Sequence, residues 1–339
     1  MERTTYLFHA INSAKNKIQY DTEVKRVLSD KSILAWILKY TVTELQSFTI
    51  PEIITCIEGE PEIMTVPIYP GSTPLSLDSS SPSAINGAKN EDAVPNEGKI
   101  AYDIRFYVIL PSQKTSSGKR IKLILNIEAQ KNYYPGYDLV TRAIFYCARM
   151  LSAQLDTEFT AEHYSDMKKV YSIWICMDSP SYAENTITEY KIEPHNRYGT
   201  FHQKTNYDLL SAVLVCLSRK DASKGNPLHQ LLFTLLSTQL SVKEKAAILS
   251  NQYQLEMTKT IEEGIETMCN LSDLIEEQGR QQGIQLGVEQ GRQQGIEAMI
   301  LDNLEEGFPA DKIIKKLQKR FTINENLAWK YFEQFSNKE

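Results

Sequence analysis

Two apolar stretches rich in β-branched residues decide the fold of this chain. They read Ile100-Ala-Tyr-Asp-Ile-Arg-Phe-Tyr-Val-Ile-Leu110 and Ile121-Lys-Leu-Ile-Leu-Asn-Ile-Glu-Ala-Gln130. The residues that separate them, 111–120, include Pro, Gly and three Ser, a composition typical of a turn-rich connector of hairpin length. The pattern therefore predicts two strands that pair with each other.

Polar side chains recur on one face of this predicted hairpin, because successive residues of a strand point to opposite faces. In the second stretch the polar face carries Asn126, Glu128 and Gln130. In the first stretch Asp103 and Arg105 share a face. The opposite face of the first stretch carries Tyr102, Ile104 and Phe106. If the two polar faces align, Asp103 and Glu128 meet near one end of a cleft.

Two converging carboxylates suit a hard divalent cation. Mg²⁺ prefers oxygen ligands and keeps several waters, so one or two carboxylates together with a substrate phosphate can hold it. Such an ion activates a water and stabilises charge on a phosphoryl group. Gln130 points to the same place, but its amide brings no positive charge. The same alternation also fits a hairpin that simply exposes one face to solvent, and the pattern alone leaves both interpretations open.

Several blocks of the chain together resemble a known family. Glu97-Gly-Lys-Ile-Ala-Tyr-Asp103-Ile-Arg-Phe is followed by Asn126-Ile-Glu128-Ala-Gln130, and further blocks cover 136–149 and 169–176. These blocks resemble the PD-(D/E)XK nuclease family transposases, relatives of the Rpn-type recombination-promoting nucleases. The resemblance implies an α/β fold with a restriction-endonuclease-like mixed sheet flanked by helices. It also implies a DNA endonuclease of the bacterial cytoplasm that depends on Mg²⁺ or Mn²⁺ and is linked to transposition or recombination.

The resemblance assigns roles to specific residues. Asp103 and Glu128 match the two acids of the family pattern and would be the metal ligands, with the Ala129 carbonyl as a third ligand. Gln130 stands where many relatives have a lysine, so the charge of that lysine is missing here. This departure supports a second hypothesis, a catalytically weak nuclease-like protein that binds DNA or assembles through its tail. A nuclease directed to RNA would use the same metal chemistry.

The apolar spacing over 20–40 predicts a helix, with Asp21 as its cap. In many nucleases of the resembled superfamily an acid on the first helix faces the metal cleft, so Glu23 is a candidate third carboxylate. An acid in the first turn of a helix is also favoured by the helix dipole alone. Both interpretations of Glu23 are open.

A second helix is predicted over 137–155, where apolar residues form a stripe at helical spacing. Arg142 and Tyr146 are four residues apart and share one side of that helix, and Arg149 lies one turn further on. By the resemblance, Arg142, Tyr146 and Gln154 would face the scissile phosphate and position the nucleic-acid backbone without reading bases. An arginine on an amphipathic helix is otherwise usually solvated or salt-bridged.

The resemblance implies a nuclease-like domain over 1–250, and the remaining patterns predict more of its sheet. A buried strand over 169–177 follows a helix, which indicates a crossover connection and a mixed sheet. Strand-like runs at 187–192 and 209–217 would extend that sheet. The stretch 70–97 is rich in Ser, Pro, Gly and Asn, and we predict that it forms a mobile loop.

The tail, 251–339, is predicted to be helical and contains the one internal repeat of the chain. Glycines recur every fourth residue at 279, 283, 287, 291 and 295. Each glycine inside a helix costs roughly 1 kcal/mol relative to alanine, so a helix there needs compensation. Close packing against a second copy of the chain, giving a homo-oligomer, would provide it, whereas a flexible connector would avoid the cost. Both interpretations are open.

Composition and charge narrow the class of protein. The net charge of −6 argues against a broadly basic nucleic-acid-binding coat, although seven basic residues against two acidic ones fall within 112–150. That local excess fits a track for a phosphate backbone or a set of solvated charges. Five scattered cysteines and an N-terminus unlike a signal sequence predict reduced thiols and a cytoplasmic location. No apolar run approaches the roughly 18 residues of a membrane span, so none is predicted.

Overall fold

The structure is a computed structural model of the chain. It describes residues 2–63, 91–94, 98–111, 120–201 and 206–336. The chain divides into two compact units, Met1–Ser272 and Asp273–Glu339. The predicted α/β class with a helical C-terminal region is confirmed, because a six-stranded sheet with flanking helices precedes a purely helical segment.

Helices and strands are interspersed along the chain. The helices are α1 (Glu2–Leu28), α2 (Lys31–Thr41), α3 (Ile50–Cys56), α4 (Leu139–Ser152), α5 (Pro227–Leu236), α6 (Val242–Tyr253), α7 (Lys259–Glu305), α8 (Ala310–Phe321) and α9 (Glu325–Ser336). The strands are β1 (Ile57–Ile63), β2 (Glu91–Val94), β3 (Gly98–Ala101), β4 (Ile104–Leu110), β5 (Ile121–Asn132), β6 (Val170–Asp178), β7 (Thr186–Lys191) and β8 (Leu210–Cys216). The last three strands confirm the strands predicted from the sequence in the same places.

The main sheet has the strand order β1-β4-β5-β6-β8-β7. β1, β4 and β5 pair in antiparallel fashion, and β5, β6 and β8 are parallel to one another. β7 closes the far edge antiparallel to β8. The predicted mixed sheet is therefore confirmed, and α4 forms the connection between the parallel neighbours β5 and β6.

Apolar side chains cover both faces of the sheet. On one face α4 packs against β6 and β8, and Cys147 and Trp174 lie in this layer. On the other face α1, α2 and α5 contribute Leu28, Leu38 and Leu232 to a larger core. Burial of such a side chain stabilises the fold by about 1.5–3 kcal/mol. The sheet is thus held between two apolar layers, which fixes the strands that carry the candidate site.

The single helix predicted over 20–40 is two helices in the structure. Asp30 has an extended backbone between α1 and α2, and its Oδ1 accepts a hydrogen bond of 2.9 Å from Ser32 N, which caps α2. Asp21 lies inside α1, so its prediction as a cap was wrong. The predicted helix around Arg142 is confirmed as α4, whose first turn is capped by Asp138.

The second unit is built from the end of α7 together with α8 and α9. Ile300, Ile313 and Leu317 are buried in its small core. The glycine repeat lies within α7, which is helical throughout the repeat. A Cβ added at four of the glycines would meet none of the described atoms within 4 Å; these are Gly279, Gly283, Gly287 and Gly291.

Two predictions fall largely outside the described residues. Of the stretch 70–97, the structure describes only β2, which pairs with β3 in a separate two-stranded sheet. Lys114 and Lys119, two of the basic residues within 112–150, also lie outside the described ranges. In the part of the chain that is described, no helix is long and apolar enough to cross a membrane.

Candidate functional site at Asp103 and Glu128

Asp103 lies at a bend between β3 and β4, outside the ladder that joins β4 to β5. The unbroken first strand predicted from the sequence is therefore wrong at this point. The bend places Tyr102 in the apolar layer beneath α4, whereas Ile104 and Phe106 lie in the opposite layer, so the three do not share a face. The Asp103 carboxylate reaches across to β5, where its Oδ2 accepts a hydrogen bond of 3.0 Å from Ala129 N.

Glu128, which lies within β5, contacts the backbone of Asp103 in return. Its Oε1 accepts hydrogen bonds from Asp103 N over 3.2 Å and from Asn126 Nδ2 over 3.0 Å. Asn126 and Glu128 are two residues apart on one strand, so the pleat places their side chains on the same face. The structure therefore brings together the two acids that the sequence pattern singled out, and each side chain is held by the backbone beside the other.

Burial makes this pair of acids electrostatically unusual. Glu128 is 6 % exposed, and the Asp103 side chain is 17 % exposed. Burial, and then the charge of Asp103, raises the pKa of Glu128 well above its usual value. Burial likewise raises the pKa of Asp103, although the charge of Lys25 opposes that shift. Two carboxyl groups that resist ionisation side by side favour any cation placed between them.

A lysine from α1 completes the cluster. Lys25 Nζ lies 2.9 Å from Asp103 Oδ1 and 2.6 Å from Asp21 Oδ2, and the lysine side chain is only 8 % exposed. Burial would lower the pKa of this ammonium, but the charges of Asp103 and Asp21 outweigh burial and raise it. Sequence reasoning missed Lys25. The i,i+4 spacing of Asp21 and Lys25 predicts an ion pair on α1, but nothing in the sequence indicates that the pair meets Asp103.

Arg142 and Tyr146 of α4 lie on the other side of Glu128. Arg142 Nη2 donates a hydrogen bond of 2.7 Å to the Tyr146 hydroxyl, and another guanidinium nitrogen, Nη1, donates to the Tyr137 hydroxyl. The guanidinium also lies 5.6 Å from the ring centre of Trp174. The positive charge of Arg142 lowers the pKa of Glu128, against the larger effect of burial. An arginine held by aromatic groups in this way is oriented before any anion arrives.

Two predicted site residues have partners elsewhere. Gln130 Nε2 donates a hydrogen bond of 2.8 Å to the carbonyl of Asn132, so its amide is turned along its own strand. Glu23 pairs with Arg26, whose Nη2 lies 2.7 Å from Glu23 Oε2. The acid of α1 that approaches Asp103 is Asp21, through Lys25, and not Glu23.

The far end of α4 has a structural role in this fold. Gln154 is buried, accepts a hydrogen bond of 2.7 Å from Lys168 N and donates one of 2.9 Å to the Lys168 carbonyl. It therefore ties the end of α4 to the segment that enters β6. Arg149 is only 3 % exposed. Lys122, another member of the basic segment, pairs with Glu158 over 2.5 Å, so these positive charges are engaged within the protein.

The donor set at Asp103 and Glu128 fits a hard divalent cation. The pair supplies carboxylate oxygens, and the buried Asn126 Oδ1 has no hydrogen-bond partner among the described residues. No group of three or more Asp, Glu, His or Cys side chains gathers at one point in the described ranges. Two carboxylates suffice for Mg²⁺, because this ion keeps several waters.

Comparisons with known proteins identify no relative of this chain. No protein-family model, no curated protein and no solved structure matches this chain.

Proposed function

We propose that this protein is a Mg²⁺- or Mn²⁺-dependent endonuclease that hydrolyses phosphodiester bonds of DNA and takes part in transposition or recombination. The observation that carries the proposal is the reciprocal contact of a buried and a partly buried acid: Ala129 N donates to Asp103 Oδ2, and Asp103 N donates to Glu128 Oε1. A structural hairpin has no need to bury two carboxyl groups together, because burial of charge is costly unless the charge is compensated.

The order of elements around the pair supports a restriction-endonuclease-like fold. Helices α1 and α2 precede three antiparallel strands, β1, β4 and β5, and α4 then leads to the parallel strand β6. This is the α-β-β-β-α-β order that the resemblance to the PD-(D/E)XK family implies. Glu128 lies on β5, and Asp103 lies at the bend directly before β4, the neighbour of β5 in the sheet.

Different residues of the chain would bind the metal and the phosphate. When bound, the metal would supply a nucleophilic water and stabilise charge on the phosphoryl group. Asp103 and Glu128 would hold the ion, with the Ala129 carbonyl as a further oxygen ligand. Arg142, oriented by Tyr146, would bind a non-bridging oxygen of the phosphate and so position the backbone without reading bases.

Purified full-length protein tests this function on supercoiled plasmid DNA. We expect nicking that requires Mg²⁺ or Mn²⁺ and that Asp103→Ala abolishes. Asp166→Ala is the matched control, because Asp166 is an exposed aspartate away from the pair. Equal nicking by wild type and Asp103→Ala would overturn the proposal. The same assay with single-stranded and duplex RNA distinguishes a nuclease directed to RNA.

One observation favours a second function, a catalytically weak nuclease-like protein that binds DNA. Gln130 brings no charge and turns its amide to Asn132, and Lys25 already compensates Asp103. A protein of this kind needs no metal site. A calorimetric Mn²⁺ titration separates the two functions, because DNA binding without detectable Mn²⁺ binding is expected only for the second.

A further inference from the structure

The ammonium of Lys25 places a positive charge directly beside the Asp103 and Glu128 pair. Among the described residues, one lysine or arginine forms an ion pair with Asp103 or Glu128. It is Lys25, whose ammonium lies within 4.0 Å of a carboxylate oxygen of Asp103. Burying an ammonium costs several kcal/mol unless good partners compensate it. Two carboxylates do so here, Asp103 at 2.9 Å and Asp21 at 2.6 Å.

We propose that Lys25 is a second cation of the active site beside Arg142, held in place by Asp21, and that it supplies the positive charge that Gln130 cannot. This inference rests on the proposed nuclease function. In the metal-free protein the Lys25 ammonium compensates Asp103. In the reaction it would stabilise the negative charge that develops on the scissile phosphate.

The two carboxylate oxygens of Asp103 have different partners. Oδ2 is engaged by Ala129 N at 3.0 Å, and Oδ1 faces Lys25 Nζ. A divalent ion that binds Asp103 must therefore share this carboxylate with the ammonium. Asp21 gives Lys25 a second carboxylate partner, so the ammonium stays beside the site when the charge of Asp103 is taken up by the metal. The side chain of Asp21 is 37 % exposed against 8 % for Lys25, which places Asp21 on the solvent side of the pair.

The position of α1 makes Lys25 a fixed charge. The neighbours Val24, Val27 and Leu28 are fully buried in the main core, which anchors this turn of α1. Gly264 of α7 lies so close that a Cβ added there would be 2.2 Å from Val27 Cγ2. A charge held rigidly before the substrate arrives needs no reorganisation during the reaction, and this is how fixed charges contribute most to catalysis.

A catalytic role for Lys25 and a purely structural role predict different turnover at saturating Mn²⁺. Removal of Lys25 relieves competition at Asp103 Oδ1 and should strengthen Mn²⁺ binding in either case. If Lys25 only compensates Asp103, the folded variant keeps its turnover; if Lys25 stabilises charge on the phosphate, turnover falls. Asp21→Asn has the converse effect on the metal, because Lys25 then has Asp103 as its sole carboxylate partner among the described residues and competes harder.

The test uses the full-length chain with Lys25→Met, Lys25→Arg and Asp21→Asn, Mn²⁺ titration by calorimetry, and plasmid nicking at saturating Mn²⁺. We expect Lys25→Met to bind Mn²⁺ about 10-fold more tightly, because a competing charge is removed, and to nick about 100-fold more slowly. Lys25→Arg should restore part of the rate, and Asp21→Asn should bind Mn²⁺ more weakly than wild type. If Lys25→Met does not fold, the nicking rate of Lys25→Arg and the Mn²⁺ affinity of Asp21→Asn still test the inference.

Three results would overturn the inference. Lys25→Met could nick as fast as wild type, or it could lose Mn²⁺ binding while its melting temperature is unchanged. Asp21→Asn could bind Mn²⁺ as tightly as wild type. A different result overturns the nuclease function itself: wild-type protein that neither binds Mn²⁺ nor nicks DNA. The failures of the two proposals are therefore distinguishable.

Discussion

Asp103 and Glu128 are 25 residues apart in the chain, yet each binds the backbone beside the other. Asp103 N donates to Glu128 Oε1 over 3.2 Å, and Asp103 Oδ2 accepts from the amide of Ala129, the residue after Glu128, over 3.0 Å. The contact is possible because β4 begins only after Asp103, which leaves that residue free of the β4–β5 ladder. This geometry fixes two carboxyl groups, one buried and one partly buried, in one place.

Replacing Glu128 by glutamine should stabilise the metal-free protein at neutral pH. The folded pKa of Glu128 is raised, so above about pH 4.5 the folded state binds more protons at this group than the unfolded state does, and stability falls as the pH rises. Glu128→Gln removes that loss. Melting curves should therefore show a larger gain at pH 8 than at pH 5, together with loss of nicking. An equal gain at both pH values, or a loss of stability, would contradict the raised pKa.

Metal binding should release protons. Because burial raises the pKa of Glu128 and of Asp103, the pair takes up protons more readily than free carboxyl groups do, and a cation that binds there displaces them. Calorimetric Mn²⁺ titrations in two buffers of different ionisation enthalpy measure this release directly, and the affinity should increase with pH. Heats that are the same in both buffers would show that both carboxylates are already ionised.

Arginine at position 142 should not be replaceable by lysine. Arg142 contacts the hydroxyls of Tyr137 and Tyr146 and lies beside Trp174, an arrangement that a planar guanidinium can make and an ammonium cannot. We expect Arg142→Lys to lower the nicking rate by about 100-fold with little change in Mn²⁺ affinity. Arg197→Lys, at an exposed arginine, is the matched control. A rate like that of wild type would remove Arg142 from the site.

Gly264 should be intolerant of any side chain. A Cβ there would lie 2.2 Å from Val27 Cγ2, so α1 would have to shift and carry Lys25 with it. Overpacking of this kind costs about 1–3 kcal/mol, so Gly264→Ala should lower the melting temperature. Gly279→Ala is the control, because a Cβ there meets no described atom within 4 Å; it should stabilise α7 by about 1 kcal/mol. Equal effects of the two substitutions would show that Val27 does not hold α1.

Local patterns were sufficient to predict most of the sheet. The apolar runs that became β6 and β8 are nearly continuous because these strands are buried on both faces. The alternation along β5 also placed Asn126 and Glu128 correctly on one face. The first strand was predicted less well, because the bend at Asp103 breaks an apolar pattern that reads as continuous in the sequence.

Contacts between distant segments could not be predicted in this way. Lys25 and Asp103 are 78 positions apart, and only the packing of α1 against the sheet brings them to 2.9 Å. Gln154 has the residue type expected of a phosphate contact, yet its partner is the Lys168 backbone. Glu23 and Asp21 are equally acidic, and the i,i+4 spacing already pairs Asp21 with Lys25 on α1. Only the packing of α1 brings Lys25, and not Glu23, to Asp103.

The account depends on one divalent cation held between Asp103 and Glu128. Calorimetric titration of the full-length protein with Mn²⁺ tests it most directly, with the double variant Asp103→Ala, Glu128→Ala beside it. We predict one bound ion per chain in wild type and none in the double variant. Absence of binding in wild type, or unchanged binding in the double variant, would contradict the account.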